Sequence, residues 1–122
     1  MIVSEKIENK EIAKQYKELL SVSYQTLSKD DKKQIRNAFD IAVDAHRNQR
    51  RKTGEAYIFH PLAVARIVAN EIGLDSISIA AALLHDVVED TKYTIEEIKN
   101  KLGEPVAKIV DGLTKISNLK KD

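Results

Sequence analysis

Four of the six residues from His85 to Asp90 are ionisable (His85, Asp86, Glu89 and Asp90), and they end an apolar run that begins at Ile77. A run of that kind belongs inside a protein. There an unpaired carboxylate or imidazolium costs several kcal/mol, so such groups must pair with one another or hold a metal ion. His60, followed by Pro61, offers a further donor upstream, just beyond the basic loop Arg50-Arg51-Lys52-Thr53-Gly54-Glu55. His85 and Asp86 are neighbours, and adjacent side chains on a helix point about 100° apart. They can share an ion only if it lies between those directions, in a crevice among several helices. The remaining ligands must then come from elsewhere, and His60 is the obvious supplier.

Taken singly, each of these residues has an ordinary role. His60 could cap a helix, and His85–Asp86 could be an internal ion pair. Glu89 and Asp90 could form a solvated helix end, although acids there oppose the helix dipole at a cost of about 0.3–1 kcal/mol each. Arg50, Arg51 and Lys52 could be a solvated loop. Their occurrence together, in this order, favours a site. His46 has no partner signal and reads as structural.

The elements that must position these residues are helical. Ile12, Tyr16, Leu19 and Leu20 share one face of a first amphipathic helix, followed by a looser segment through Leu27. Ser28 and Asp31 form an acidic version of the capping box, opening a second helix with the stripe Ile35, Ala38, Phe39, Ala42 and Val43. That helix ends near Arg47 to Gln49. Pro61 starts a third, with Leu62, Ala65, Val68 and Ile72 inward and Gly73 as its stop. Asp75 caps a fourth, Ser76 to about Val88, which is so uniformly apolar that neighbours must surround it. Thr94 and Glu97 form a true capping box for a short helix closing at Gly103. Pro105, Val106, Ile109, Val110 and Leu113 mark the last.

Composition agrees. The 122 residues are 43% hydrophobic and 32% charged, with only 2 prolines and 4 glycines, which suits one all-α domain or a piece of one. Without cysteine there are neither disulfides nor thiolate metal sites, and a reducing, cytoplasmic setting is expected. The apolar run is too short to span a bilayer, and the N-terminus lacks the pattern of a signal peptide. A formal net charge of +1 gives no reason to expect nucleic-acid binding.

The segment from Ala45 to Pro61, with its Arg51-Lys52-Thr53-Gly54-Glu55 and Tyr57-Ile58-Phe59-His60-Pro61 runs, resembles the RelA/SpoT homologues. These bacterial enzymes make and degrade guanosine tetra- and pentaphosphate. Ala80 to Thr91, including His85-Asp86-Val87-Val88-Glu89-Asp90, is similar to that family's hydrolase signature. Val110 to Ile116 is similar to its next landmark. The likeness runs from about Ser28 to Leu119. Other HD-type phosphohydrolases share the histidine and the His-Asp doublet but not the basic-loop wording. Thr53 stands where serine is usual, and Ala56 where proline is.

The resemblance implies an HD-domain phosphohydrolase-like bundle of about six helices, incomplete, with residues 1–27 an N-terminal helical segment and 28–122 the N-terminal part of the hydrolase domain. It implies a 3′-pyrophosphohydrolase releasing GDP or GTP, from either a long bifunctional protein that also carries GTP pyrophosphokinase activity or a small stand-alone hydrolase, with the helical segment before Ser28 favouring the first. His60, His85 and Asp86 would bind Mn2+, Glu89 and Asp90 would position and deprotonate the attacking water, and Arg51 and Lys52 would meet the nucleotide. The family's fourth ligand, an aspartate, and a nucleotide-contacting asparagine lie beyond the Asp111-Gly112-Leu113-Thr114-Lys115 landmark. The 122-residue chain is therefore expected to be a truncated domain, weak or inactive alone, with apolar surface that favours self-association. Two alternatives stay open: an HD enzyme acting on other nucleotides, and a helical interaction module without catalysis.

Overall fold

The computed structural model describes the backbone of residues 2–21, 27–72 and 74–120, and the side chains of 7–21, 27–72 and 74–116. Among these, all regular structure is helical: α1 (Ile2–Ser21), α2 (Lys29–Ala45), α3 (Phe59–Arg66), a π-helical continuation (Ile67–Ile72), α4 (Ser76–Leu84), α5 (Val87–Asp90), α6 (Ile95–Leu102) and α7 (Glu104–Lys120). The expected all-α bundle is present. The looser segment after α1 and the stop at Gly73 fall largely or wholly outside the described residues.

Helix starts follow their sequence signals. Ser28 accepts from the Asp31 N–H while Asp31 accepts from the Ser28 N–H, closing the capping box of α2. Thr94 and Glu97 do the same for α6, and Asp75 caps α4 by accepting from the Ser78 N–H. Asp31 also accepts from the Ser76 hydroxyl at 2.9 Å, tying the starts of α2 and α4 together. Gly103 ends α6 at φ +93°, a conformation that side-chain-bearing residues rarely adopt.

α4 is the centre, packed against α2, α3 and α7. Ile79, Ala80, Ala81, Ala82, Leu83 and Leu84 are all buried, and the alanines let neighbouring helices approach closely. Tyr16 and Leu19 of α1 enter the same core, with the Tyr16 ring stacked on Phe39 at 4.3 Å. On α2, Ile35, Ala38, Phe39 and Ala42 are buried as expected, joined by Ile41.

Three local departures have physical causes. The expected fourth helix does not run through to Val88. Its hydrogen bonding tightens at His85, whose N–H reaches the Ala82 carbonyl, and the chain restarts as α5 at Val87. α3 begins at Phe59, placing His60 in its first turn rather than before it. The π-helical stretch then winds more residues into each turn, so later side chains fall off the α-helical stripe. Ile72, expected inward, is 60% exposed in consequence, while Ala69 earlier in the stretch stays buried.

Candidate metal centre

The break after Leu84 aims two adjacent residues at one place. His85 Nε2 lies 3.0 Å from Asp86 Oδ2, a geometry that the 100° spacing of a continuous helix would oppose. From the first turn of α3, His60 Nε2 comes within 3.5 Å of the same oxygen. One donor atom from each of His60, His85 and Asp86 falls within a 4.8 Å circle of mutual distances, the single such cluster among the described residues. Ligand atoms about 2.1 Å from a common divalent ion lie roughly 3–4 Å apart, so the set fits with small adjustment.

The orientation of the rings supports the fit. The second ring nitrogen of His85, Nδ1, donates to the Ala82 carbonyl at 2.6 Å, which leaves the Nε2 lone pair turned toward Asp86. Two lone pairs facing each other at 3.0 Å need a proton or a cation between them. Burial pulls the His85 imidazole down, but bonds to Asp86 and the Ala82 carbonyl, with the Asp86 and Asp90 charges, hold it above its ordinary value. Burial and the neighbouring His85 lower His60. Burial pushes the Asp86 carboxyl up, yet hydrogen bonds from His85 and Tyr57, with the two imidazoles' charge, bring it to about 2. Asp86 is thus an anion poised among donors and cations.

The other expected site residues are dispersed around this corner. Glu89 and Asp90 lie on α5, outside the three-residue cluster. The Asp90 charge acts on both His85 and Tyr57, but its residue borders a separate cleft of about 440 Å³ with Asp44, Gln49 and Tyr93. Arg51 borders an open cleft of about 490 Å³ that also includes His60, Phe59 and, from α1, Glu11 and Gln15. Lys52 is exposed near the loop tip and does not line that cleft. The loop turns back through an isolated antiparallel bridge between Arg50 and Ala56, with Gly54 at φ +96°.

Sequence reasoning gave no role to Tyr57, Gln49 or Glu8. The Tyr57 hydroxyl donates to Asp86 Oδ2 at 2.7 Å. Gln49 donates its side-chain N–H to the Asp90 carbonyl at 3.0 Å. Glu8 accepts two bonds from the Arg50 guanidinium, at 2.6 and 3.0 Å. Tyr57 stands three residues before His60, a spacing that would put the two on one side of a turn. That was the available signal. The reach of Glu8 across 42 residues left none.

An HD-domain family model matches residues 38–122. The chain belongs to the HD-domain family. Within it, the similarity is to RelA/SpoT-type proteins. The chain is 54% identical over 87 residues to a guanosine-3′,5′-bis(diphosphate) 3′-pyrophosphohydrolase of Aquifex aeolicus, covering 71% of this chain and 12% of that protein. It is 47% identical over 94 residues to the bifunctional (p)ppGpp synthase/hydrolase SpoT of Escherichia coli K12, covering 77% and 13%. A solved structure, described as a metazoan ortholog of SpoT that hydrolyzes ppGpp, superposes with a TM-score of 0.65 at 30% identity, covering 73% of this chain and 49% of that one. The chain thus spans about an eighth of the length of the two curated relatives. None of its described helices is long and apolar enough to cross a membrane.

Proposed function

We propose that this chain is the metal-binding part of a hydrolase that removes pyrophosphate from the 3′ position of guanosine tetra- or pentaphosphate, leaving GDP or GTP. The observation that carries the reading is the convergence of His60, His85 and Asp86 on one point. These three residues would hold Mn2+. Bound there, the ion would lower the pKa of a water and polarise the phosphate under attack. Glu89 and Asp90, on the turn after the His-Asp doublet, would position the attacking water and take its proton. Arg51 stacks on guanine or offsets phosphate charge from the cleft beside His60, and Lys52 adds charge at the loop tip. The relatives named as synthase/hydrolase support a bifunctional protein with GTP pyrophosphokinase activity, encoded outside these residues.

An apolar groove of about 290 Å³ runs beside His85, lined by Val64, Val68, Leu74, Ala82, Ile109 and Leu113 among others. A second copy of the chain would cover it. Sedimentation showing only monomer at tens of micromolar would remove that part of the reading.

The activity test is Mn2+-dependent release of pyrophosphate from guanosine tetraphosphate, set beside a panel of other nucleotides. Guanosine tetraphosphate should bind better than GDP, with an affinity that falls as salt rises. Equal turnover of unrelated nucleotides would move the chain to another HD enzyme class.

A further inference from the structure

Each of the three metal-type side chains has something behind it that fixes its direction. For His85 this is the Ala82 carbonyl. For the other two it is one residue, Tyr57. Its hydroxyl donates to Oδ2 of Asp86 at 2.7 Å, the same oxygen that faces both imidazole Nε2 atoms. Its ring meets the His60 ring edge-on, with centroids 5.7 Å apart and planes at 67°. Rotation of Tyr57 would therefore release Asp86 and His60 together.

Tyr57 is itself braced from the other side. The buried His46 ring lies against it, with centroids 4.6 Å apart. His46 Nδ1 is hydrogen-bonded to the Gln49 side-chain carbonyl, and the Gln49 main-chain carbonyl accepts from the Tyr57 N–H at 3.0 Å. The Gln49 side-chain N–H continues to the Asp90 carbonyl, so the brace also holds the end of α5. His46 is 2% exposed, its Nε2 has no hydrogen-bond partner, and its ring lies against Tyr57 as a flat wedge. A phenol suits the position behind Asp86 because it is neutral: it orients the carboxylate without cancelling the charge that a cation needs. Burial and the Asp86 carboxylate both push the Tyr57 phenol up, so it stays a donor.

We propose that Tyr57 is the positioning residue of the metal centre, orienting both Asp86 and His60, and that His46 and Gln49 hold it in place. The inference rests on reading His60, His85 and Asp86 as metal ligands. Groups behind metal ligands typically change affinity by about 10–100-fold when lost.

The experiment measures Mn2+ binding by electron paramagnetic resonance in the full chain without nucleotide, for wild type, Tyr57→Phe and His85→Ala. Phenylalanine keeps the ring between His46 and His60 and deletes only the hydroxyl. Expected are binding by wild type, none by His85→Ala, and about 10–100-fold weaker binding by Tyr57→Phe, whose metal-free melting temperature stays at the wild-type value. Affinity within twofold of wild type in Tyr57→Phe would overturn the role of Tyr57 and leave the metal reading standing. No binding by wild type would bring down the metal reading and this inference with it. Should Tyr57→Phe fail to fold, wild-type protein carrying 13C at the tyrosine ζ carbon is titrated with Mg2+. A shift of the Tyr57 resonance supports the contact with a ligand, and an unmoved resonance overturns it.

Discussion

The corner that holds His60, His85 and Asp86 and the loop that carries Arg51 and Lys52 are neighbours along the chain but are built in opposite ways. At the corner every side chain is partly buried and fixed by a second contact, and the corner itself sits on α4, whose Leu83 and Leu84 are fully buried. Residues 50–55 of the loop are all exposed, and the loop is held by a short turn and by Glu8 reaching across from α1. The geometry of the three donor groups is therefore set by folding. The proposed grip on a nucleotide would depend on a few surface bonds, which would leave it adjustable by salt, pH and the position of α1.

That contrast breaks most visibly at Asp86. Asp86→Asn keeps the size of the side chain and removes the anion that faces both imidazoles. Mn2+ binding should be lost, and pyrophosphate release should fall by about a thousandfold or more, a barrier increase of roughly 4 kcal/mol. Retained Mn2+ affinity in this variant would show that the three groups are an internal ion-pair cluster.

The scaffold under the corner comes next. Leu83→Ala leaves a cavity at the centre of the bundle and should cost about 2–5 kcal/mol by urea unfolding. Lys52→Ala, at an exposed position, should stay within about 0.5 kcal/mol of wild type. Similar losses in both would mean that the loop is as structural as the helix. Arg51→Ala should sharpen the contrast further. Guanosine tetraphosphate affinity should fall about tenfold, roughly 1.4 kcal/mol, while the Mn2+ affinity is unchanged. Unchanged nucleotide affinity would return Arg51 to the solvent.

The same contrast explains what could be read from the chain. Helix starts at Ser28, Asp75 and Thr94 were legible because capping is local chemistry within three residues. The meeting of His60, His85 and Asp86 was legible because ionisable residues closing an apolar run are costly without a partner. The split between α4 and α5 was not, since Val87 and Val88 continue the apolar pattern through it. The π-helical stretch had no sequence sign either, and it turned Ile72 outward. Tyr57, Gln49 and His46 act through contacts that only the assembled bundle creates. Residue type alone gave His46 the same structural reading that a wedge deserves, without showing what it wedges.

The smallest expected effect tests the strap from α1. Glu8 is bonded twice to Arg50, and the Arg50 bond, against burial, is the main cause that holds its carboxyl below the usual 4.5. A carboxyl whose pKa is lower in the folded state than in the unfolded chain stabilises the fold at pH values above its unfolded value. That contribution is lost as pH falls through the lowered folded value. Glu8→Gln should therefore be less stable than wild type by under about 1 kcal/mol at pH 7 and equally so at pH 5, with the difference closing as the pH drops well below 4. Added salt should shrink it at any pH above that range. The local readout is amide exchange at Arg51 and Gly54, whose N–H groups donate to Glu55 and Arg51 carbonyls inside the loop. Faster exchange at both in Glu8→Gln, with α4 amides unchanged, is the result expected of a strap. Identical exchange in the two proteins would show that the turn holds itself, and that α1 has no hand in how the loop presents Arg51.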